Sequence, residues 1–174
     1  GVKMSLKNLV NYTGTTHDYS SGDTDTTYSH DENFSTSMTF TTGDLSGTQT
    51  HTATSAHTFA KPRKIKQWKY RIKNQHYALG SGATHSGSWK VEYKVNSGAW
   101  TLLTGSDYSY SGGEASNATY DSGTVTIDLE AADVTDVRSY STATSIGSAH
   151  SQVDINTYEI QAWGTIFIPQ ALII

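Results

Sequence analysis

The stretch SWKVEYKVNSGAWTLL, residues 88–103, decides the fold class. Trp89, Val91, Tyr93 and Val95 alternate with Ser88, Lys90, Glu92 and Lys94. Successive strand side chains point to opposite faces, so this pattern predicts a strand with one face in a core. Asn96, Ser97 and Gly98 supply turn chemistry, and AWTLL begins a return strand. Residues 88–103 therefore read as a β-hairpin.

The same period recurs on both sides. KIKQWKYRIK (64–73) places Trp68, Tyr70 and Ile72 on one face and basic residues on the other. TVTIDL (124–129) buries Val125, Ile127 and Leu129. DVRSY (136–140) and VDINTYEIQAW (153–163) read as further strands, and EAADV (130–134) as one helical turn at most. In the last strand the phase slips. Val153 and Ile155 are apolar first, then Tyr158, Ile160 and Ala162. The expectation is that this second set seals an edge of the core. Residues 74–87 and 104–123 read as long loops. Short alternating strands with almost no helix predict an all-β chain folded as an antiparallel β-sandwich of jelly-roll type.

Composition agrees. Of 174 residues, 35% are hydrophobic and 16% charged, and Ser, Thr, Gly and Asn fill the difference. Those four disfavour helix and suit turns and exposed strand faces. With 11 Tyr, 4 Trp and 4 Phe, the chain has too many aromatics for disorder. A net charge of −4 argues against a general nucleic-acid binder, which needs cationic surface. The basic run at 61–73 has interleaved aromatics, but its alternation turns them inward and the lysines outward. The chain has no cysteine, so disulfides, thiolate metal sites and a cysteine nucleophile are excluded. No apolar run is long enough to span a bilayer, so membrane insertion is not expected. Three segments are expected: a lead-in or arm at 1–29 that can also be part of the sandwich, the sandwich at 30–164, and an apolar tail at 165–174.

The order Phe59-x-x-Pro62-x-x-Ile65, the Trp89 strand, VNSGAWTLL, VRSY and YEIQAWG resembles the discoidin, or galactose-binding-like, jelly-roll domains. That family includes coagulation-factor type C domains and many carbohydrate-binding modules. DENFST (31–36) is similar to the family's DGNPST loop, and EIQAWG (159–164) to its closing EIEVYG strand. The resemblance spans roughly residues 30–164. It implies a structural calcium held by Asp31, Asn33, Thr36 and Glu159, with Glu159 pointing at the 31–36 loop. Calcium takes several oxygen ligands, which carboxylates, carbonyls and hydroxyls supply. The sequence departs from the family at Glu32, where Gly is usual. A positive φ there strains a Glu.

Other groupings are weaker. Seven histidines (17, 30, 51, 57, 76, 85 and 150) lack the i,i+4 pairing of a zinc helix. His51 and His57 share a strand face, which reads as solvated more readily than as a metal site. No nucleophile elbow or phosphate loop is present, so no catalytic residues are assigned. Tyr108, Tyr110 and Tyr120 in one expected loop, and His76, Tyr77 and His85 in the other, are the candidate glycan contacts. Aromatic faces present apolar area with a polar rim to a sugar ring.

Three functions stand. The first is a non-catalytic surface module that assembles as a virion decoration, tail or cell-surface appendage subunit, with glycan-adhesion loops. It would self-associate or dock a neighbouring subunit through TIFIPQALII (165–174), on the cell exterior or a virion surface. The second is a soluble lectin-like carbohydrate-binding module. The third and least favoured is a glycan-active enzyme.

Overall fold

The computed structural model describes residues 3–20, 24, 26–41, 45–113 and 117–168. The strands are β1 (Lys3–Asn8), β2 (Thr16–Tyr19), β3 (Met38–Thr41), β4 (Leu45–Leu79) and β5 (Thr84–Val95). They continue as β6 (Thr101–Leu102), β7 (Tyr108–Gly113), β8 (Asn117–Asp121), β9 (Val125–Ile127) and β10 (Ala131–Ile168). Among the described residues, one 3₁₀ turn spans Thr26–Ser29.

Two strands are long because each serves both layers of the sandwich. The first half of β10 pairs from Val137 with His57 to Gly147 with Gly47, and its other edge pairs with β5. The second half pairs from Ser151 with Ala78 to Trp163 with Gln67. Partner numbers fall as the chain advances, so both pairings run antiparallel. The first layer adds β2 beside β4, with β6 and β7 on β5. The second adds β8 and β9 beside β4, with β1 and β3 beside β10. This is an antiparallel β-sandwich of jelly-roll type. The layers meet where Trp68 packs on Tyr93 with ring centroids 5.2 Å apart. They meet again where Ser141 donates to Asn74 at 3.0 Å.

The core forms where large apolar side chains alternate. Trp68, Tyr70 and Ile72 are buried from β4, Trp89 and Val91 from β5, and Ile160 and Ala162 from β10. Lys64 and Lys66 stay exposed, as the alternation predicts.

Several expectations are corrected. Residues 74–79 are the end of β4, and 84–87 the start of β5, so only the turn at 80–83 lies between them. Gly80 and Gly82 have φ of 107° and 72°, which only glycine adopts freely there. The supposed loop 104–123 carries β7 and β8, because its Tyr and Thr residues pair with β5 and β4. Residues 131–134 are extended rather than helical, with a kink at Asp133 (φ 53°). β1 and β2, within the expected lead-in, are strands of the sandwich network. Residues 165–168 of the expected tail pair with residues 6–3 of β1, and 169–174 lie outside the described residues.

The phase slip is a β-bulge. Thr157 faces Ile72 and Glu159 faces Arg71, so Tyr158 is the extra residue. Ile160 and Ala162 enter the core as expected, but Tyr158 does not. It is half-buried on the other face, with the Arg71 guanidinium 4.2 Å above its ring.

Candidate functional site

The bulge places Glu159 on the outer face of the second layer, beside Arg71. The 31–36 segment covers it, and Glu159 is fully buried. The Glu32 amide donates to Glu159 Oε2 at 3.1 Å. Asp31 organises the same loop. Its Oδ1 accepts the Asn33 amide at 2.9 Å, and its Oδ2 accepts the Thr36 hydroxyl at 2.7 Å. Asn33 Oδ1 accepts the Ser35 amide. Glu32 has φ of 65°, the left-handed conformation in which Gly is the usual residue.

This joint carries an imbalance. Glu159 Oε1 is buried with no hydrogen-bond partner. Burial, reinforced by the nearby Asp31 carboxylate and only partly offset by the Gln161 side chain and the Glu32 amide, pushes the Glu159 carboxyl up to about 8. Two carboxylates converge where one has an orphaned oxygen, with Thr and Asn oxygens in the same loop. That donor set is all hard oxygen and fits a cation of the calcium type.

A second feature opens on the surface between β7, β8 and the turn after β6. It is a cleft of about 490 Å³, lined by Tyr70, Trp89, Asp107, Tyr108, Tyr120 and Asp121. Tyr108 is 47% exposed and packs against Trp89, ring centroids 4.7 Å apart. Thr119 and Ser122 line the same cleft, and the Ser122 hydroxyl accepts from the Ile72 amide at 3.0 Å and donates to the Gly123 carbonyl at 2.7 Å. Tyr120 stacks on Tyr110 at 3.7 Å. Behind them, the Tyr110 hydroxyl accepts from Asn74 at 2.9 Å and lies 2.7 Å from His76 Nε2. Burial raises the Tyr110 phenol well above its usual range and lowers His76 to about 4. The wall therefore rests on a neutral, hydrogen-bonded layer.

Asp121 is held by Arg71, whose Nε and Nη2 donate to its two oxygens at 3.2 and 2.8 Å. That pair, with the Gly123 amide, keeps the Asp121 carboxyl below the usual range despite partial burial. Arg71 Nη1 also donates to the Phe34 carbonyl at 2.9 Å. One guanidinium thus links the 31–36 loop to the cleft wall. Arg71→Met is expected to lower stability by about 1–2 kcal/mol, since the pair is only partly shielded from water. Thermal unfolding measures this.

Of the expected glycan contacts, the structure brings Tyr108 and Tyr120 into the cleft. Tyr110 stands directly behind them. His76 and His85 are buried, and His85 Nε2 lies 2.8 Å from the Tyr120 hydroxyl. Both histidines support the wall instead of meeting solvent. Tyr77 points to the opposite face of β4 from His76. Trp89 and Arg71 were legible only as strand residues. Their roles arise from pairing of β5 with β7 and of β4 with β8, which no local spacing announces.

No family model matches the chain, and no curated protein matches it. Among solved structures, the chain is similar to CBM32-1 from a family 31 glycoside hydrolase from Clostridium perfringens. The identity is 13% and the TM-score 0.45, covering 90% of this chain and 97% of that one. It is also similar to a pectin binding carbohydrate binding module, at 11% identity and TM-score 0.36, covering 97% and 95%.

Proposed function

We propose that the chain is a non-catalytic glycan-binding β-sandwich module, stabilised by a calcium ion at the joint between the 31–36 loop and β10. The cleft carries this reading. It offers an exposed tyrosine face beside carboxylates and hydroxyls, the combination that a sugar ring with one apolar face and a hydroxyl rim requires. Asp31, Asn33, Thr36 and Glu159 would hold the calcium. The ion would supply positive charge to the orphaned Glu159 oxygen and fix the loop on the sheet.

Asp121 does not fit the acid half of a hydrolytic carboxylate pair. A general acid needs a raised pKa, and the Arg71 guanidinium pulls Asp121 the other way. It therefore serves as a charged acceptor for sugar hydroxyls. Action on the cell exterior or a virion surface goes with this reading.

Assembly into a larger structure is the companion reading. Its support is Leu6, 46% exposed on the edge strand β1. Light scattering on the full chain and on a chain ending at Ile168 tests it, and a monomer in both cases removes it.

The glycan reading is tested by screening immobilised glycans with the calcium-loaded chain, then measuring the best ligand by calorimetry. Tyr108→Ala is expected to weaken that ligand by about tenfold or more, from lost stacking area. An unchanged affinity, or no glycan bound by the native chain, overturns the reading.

A further inference from the structure

We propose that His17, His30 and His57 form a second metal site, for a divalent transition ion of the zinc class. The three residues come from β2, the segment after the 3₁₀ turn, and β4. One ring nitrogen from each lies within 4.8 Å of the other two. His17 Nδ1 and His57 Nδ1 are 2.7 Å apart. Three imidazole nitrogens bound tetrahedrally to zinc at about 2.0–2.1 Å stand roughly 3.4 Å from one another. The His17 and His30 rings are stacked, with centroids 4.0 Å apart and planes 17° apart, so one of them must leave the stack by turning about its side-chain torsions to bring all three nitrogens onto one ion.

The rings are held from behind. His57 is fully buried, and its Nε2 lies 3.0 Å from Ser55 Oγ, which donates to Ser29 Oγ at 2.9 Å. A hydrogen bond on the outer ring nitrogen is what orients a metal-binding histidine and leaves the inner nitrogen for the ion. Here the inner atom is the Nδ1 that faces His17. The Tyr19 hydroxyl lies 3.0 Å from His30 Nδ1, so β2 supplies a second positioning group.

The donor set selects the ion. Imidazole-only sites suit zinc, copper and nickel, whereas calcium and magnesium demand oxygen. The site is thus chemically separate from the Asp31–Glu159 joint. His17 is solvent-exposed and His30 half-buried, so water or an exogenous ligand can complete the coordination from outside. A bound ion would pin β2 and the start of the 31–36 loop to β4.

The test uses the full chain, free of any affinity tag and saturated with calcium. Zinc chloride is titrated by calorimetry into the native chain and into His17→Ala, His30→Gln and the control His150→Gln. One zinc per native chain is expected, with affinity reduced at least about tenfold in the first two variants and unchanged in the control. Because His17 is exposed on a short edge strand, its variant should fold, and circular dichroism checks this. Cobalt substitution gives an independent readout: a tetrahedral d–d spectrum in the native chain that is lost in His17→Ala. No zinc uptake, or uptake unchanged in either cluster variant, overturns the proposal.

Discussion

Glu159→Gln should make the calcium-free chain more stable at pH 8 and abolish its response to calcium. The argument is one of proton linkage. Burial beside Asp31 lifts the Glu159 carboxyl from 4.5 to about 8. Between those values the folded chain keeps a proton that the unfolded chain has released. Stability therefore falls as pH rises through that window. Histidines act in the opposite sense. Burial lowers His30 and His76 to about 4, lowers His57 well below its usual value, and lowers His17, His51 and His85 as well, so their contribution rises with pH through 6.5. The histidines are common to the native chain and the variant, so the difference between the two isolates the Glu159 slope, roughly 2 kcal/mol between pH 6.5 and 8 at about 1.4 kcal/mol per pH unit. Gln is neutral and similar in shape, so the variant should lose this slope. Calcium favours the ionised carboxylate, and at 100 times its Kd it adds about 2.7 kcal/mol to the native chain. Denaturant unfolding at pH 6.5 and 8, with calcium or a chelator, measures all four quantities. Equal calcium stabilisation of the native chain and the variant would contradict the assignment.

Gly147→Ala is expected to destabilise the fold by on the order of 3 kcal/mol. Gly147 sits where β10 leaves the first layer for the second, opposite Gly47. A Cβ there would fall on the His150 carbonyl oxygen and lie 2.8 Å from the Leu79 carbonyl oxygen. Both obstacles are backbone, which cannot swing aside as a side chain can. Gly82→Ala is the useful contrast, because nothing lies within 4 Å of its added Cβ. Its cost is confined to the positive φ and should be about 1 kcal/mol. Denaturation midpoints of the two variants should differ accordingly. Similar midpoints would mean that the corner is not the tight crossing described here.

The large-residue half of the sandwich was legible in the sequence. Trp89, Val91 and Tyr93, or Trp68, Tyr70 and Ile72, announce a buried face by size alone. The other half was not. At 45–60 and 141–150 the inward residues include Ala53, Ser55, His57, Ser141, Ala143 and Ser145, all buried. Their alternation is small-inside against Thr and Gln outside, so a hydrophobic period never emerges. These strands exist because their backbones pair with each other across Gly47 and Gly147, a non-local fact. Glu159 was visible through the phase slip and the motif resemblance, yet the slip alone placed Tyr158 in the core. A bulge reverses such an inference, since one extra residue changes which side chains turn inward. In the cleft, Tyr108 and Tyr120 were visible as aromatics in a polar stretch. Arg71 was hidden as an ordinary outward base. The cluster of His17, His30 and His57 was hidden as well, because its members come from separate elements with no shared spacing.

The most direct test of the account is amide chemical-shift mapping of the calcium-loaded chain with the glycan that binds it best. The account predicts perturbations concentrated at residues 105–108 and 119–122, the two walls around Tyr108. Perturbations centred elsewhere on the sandwich, or none with any glycan in the screen, would contradict it.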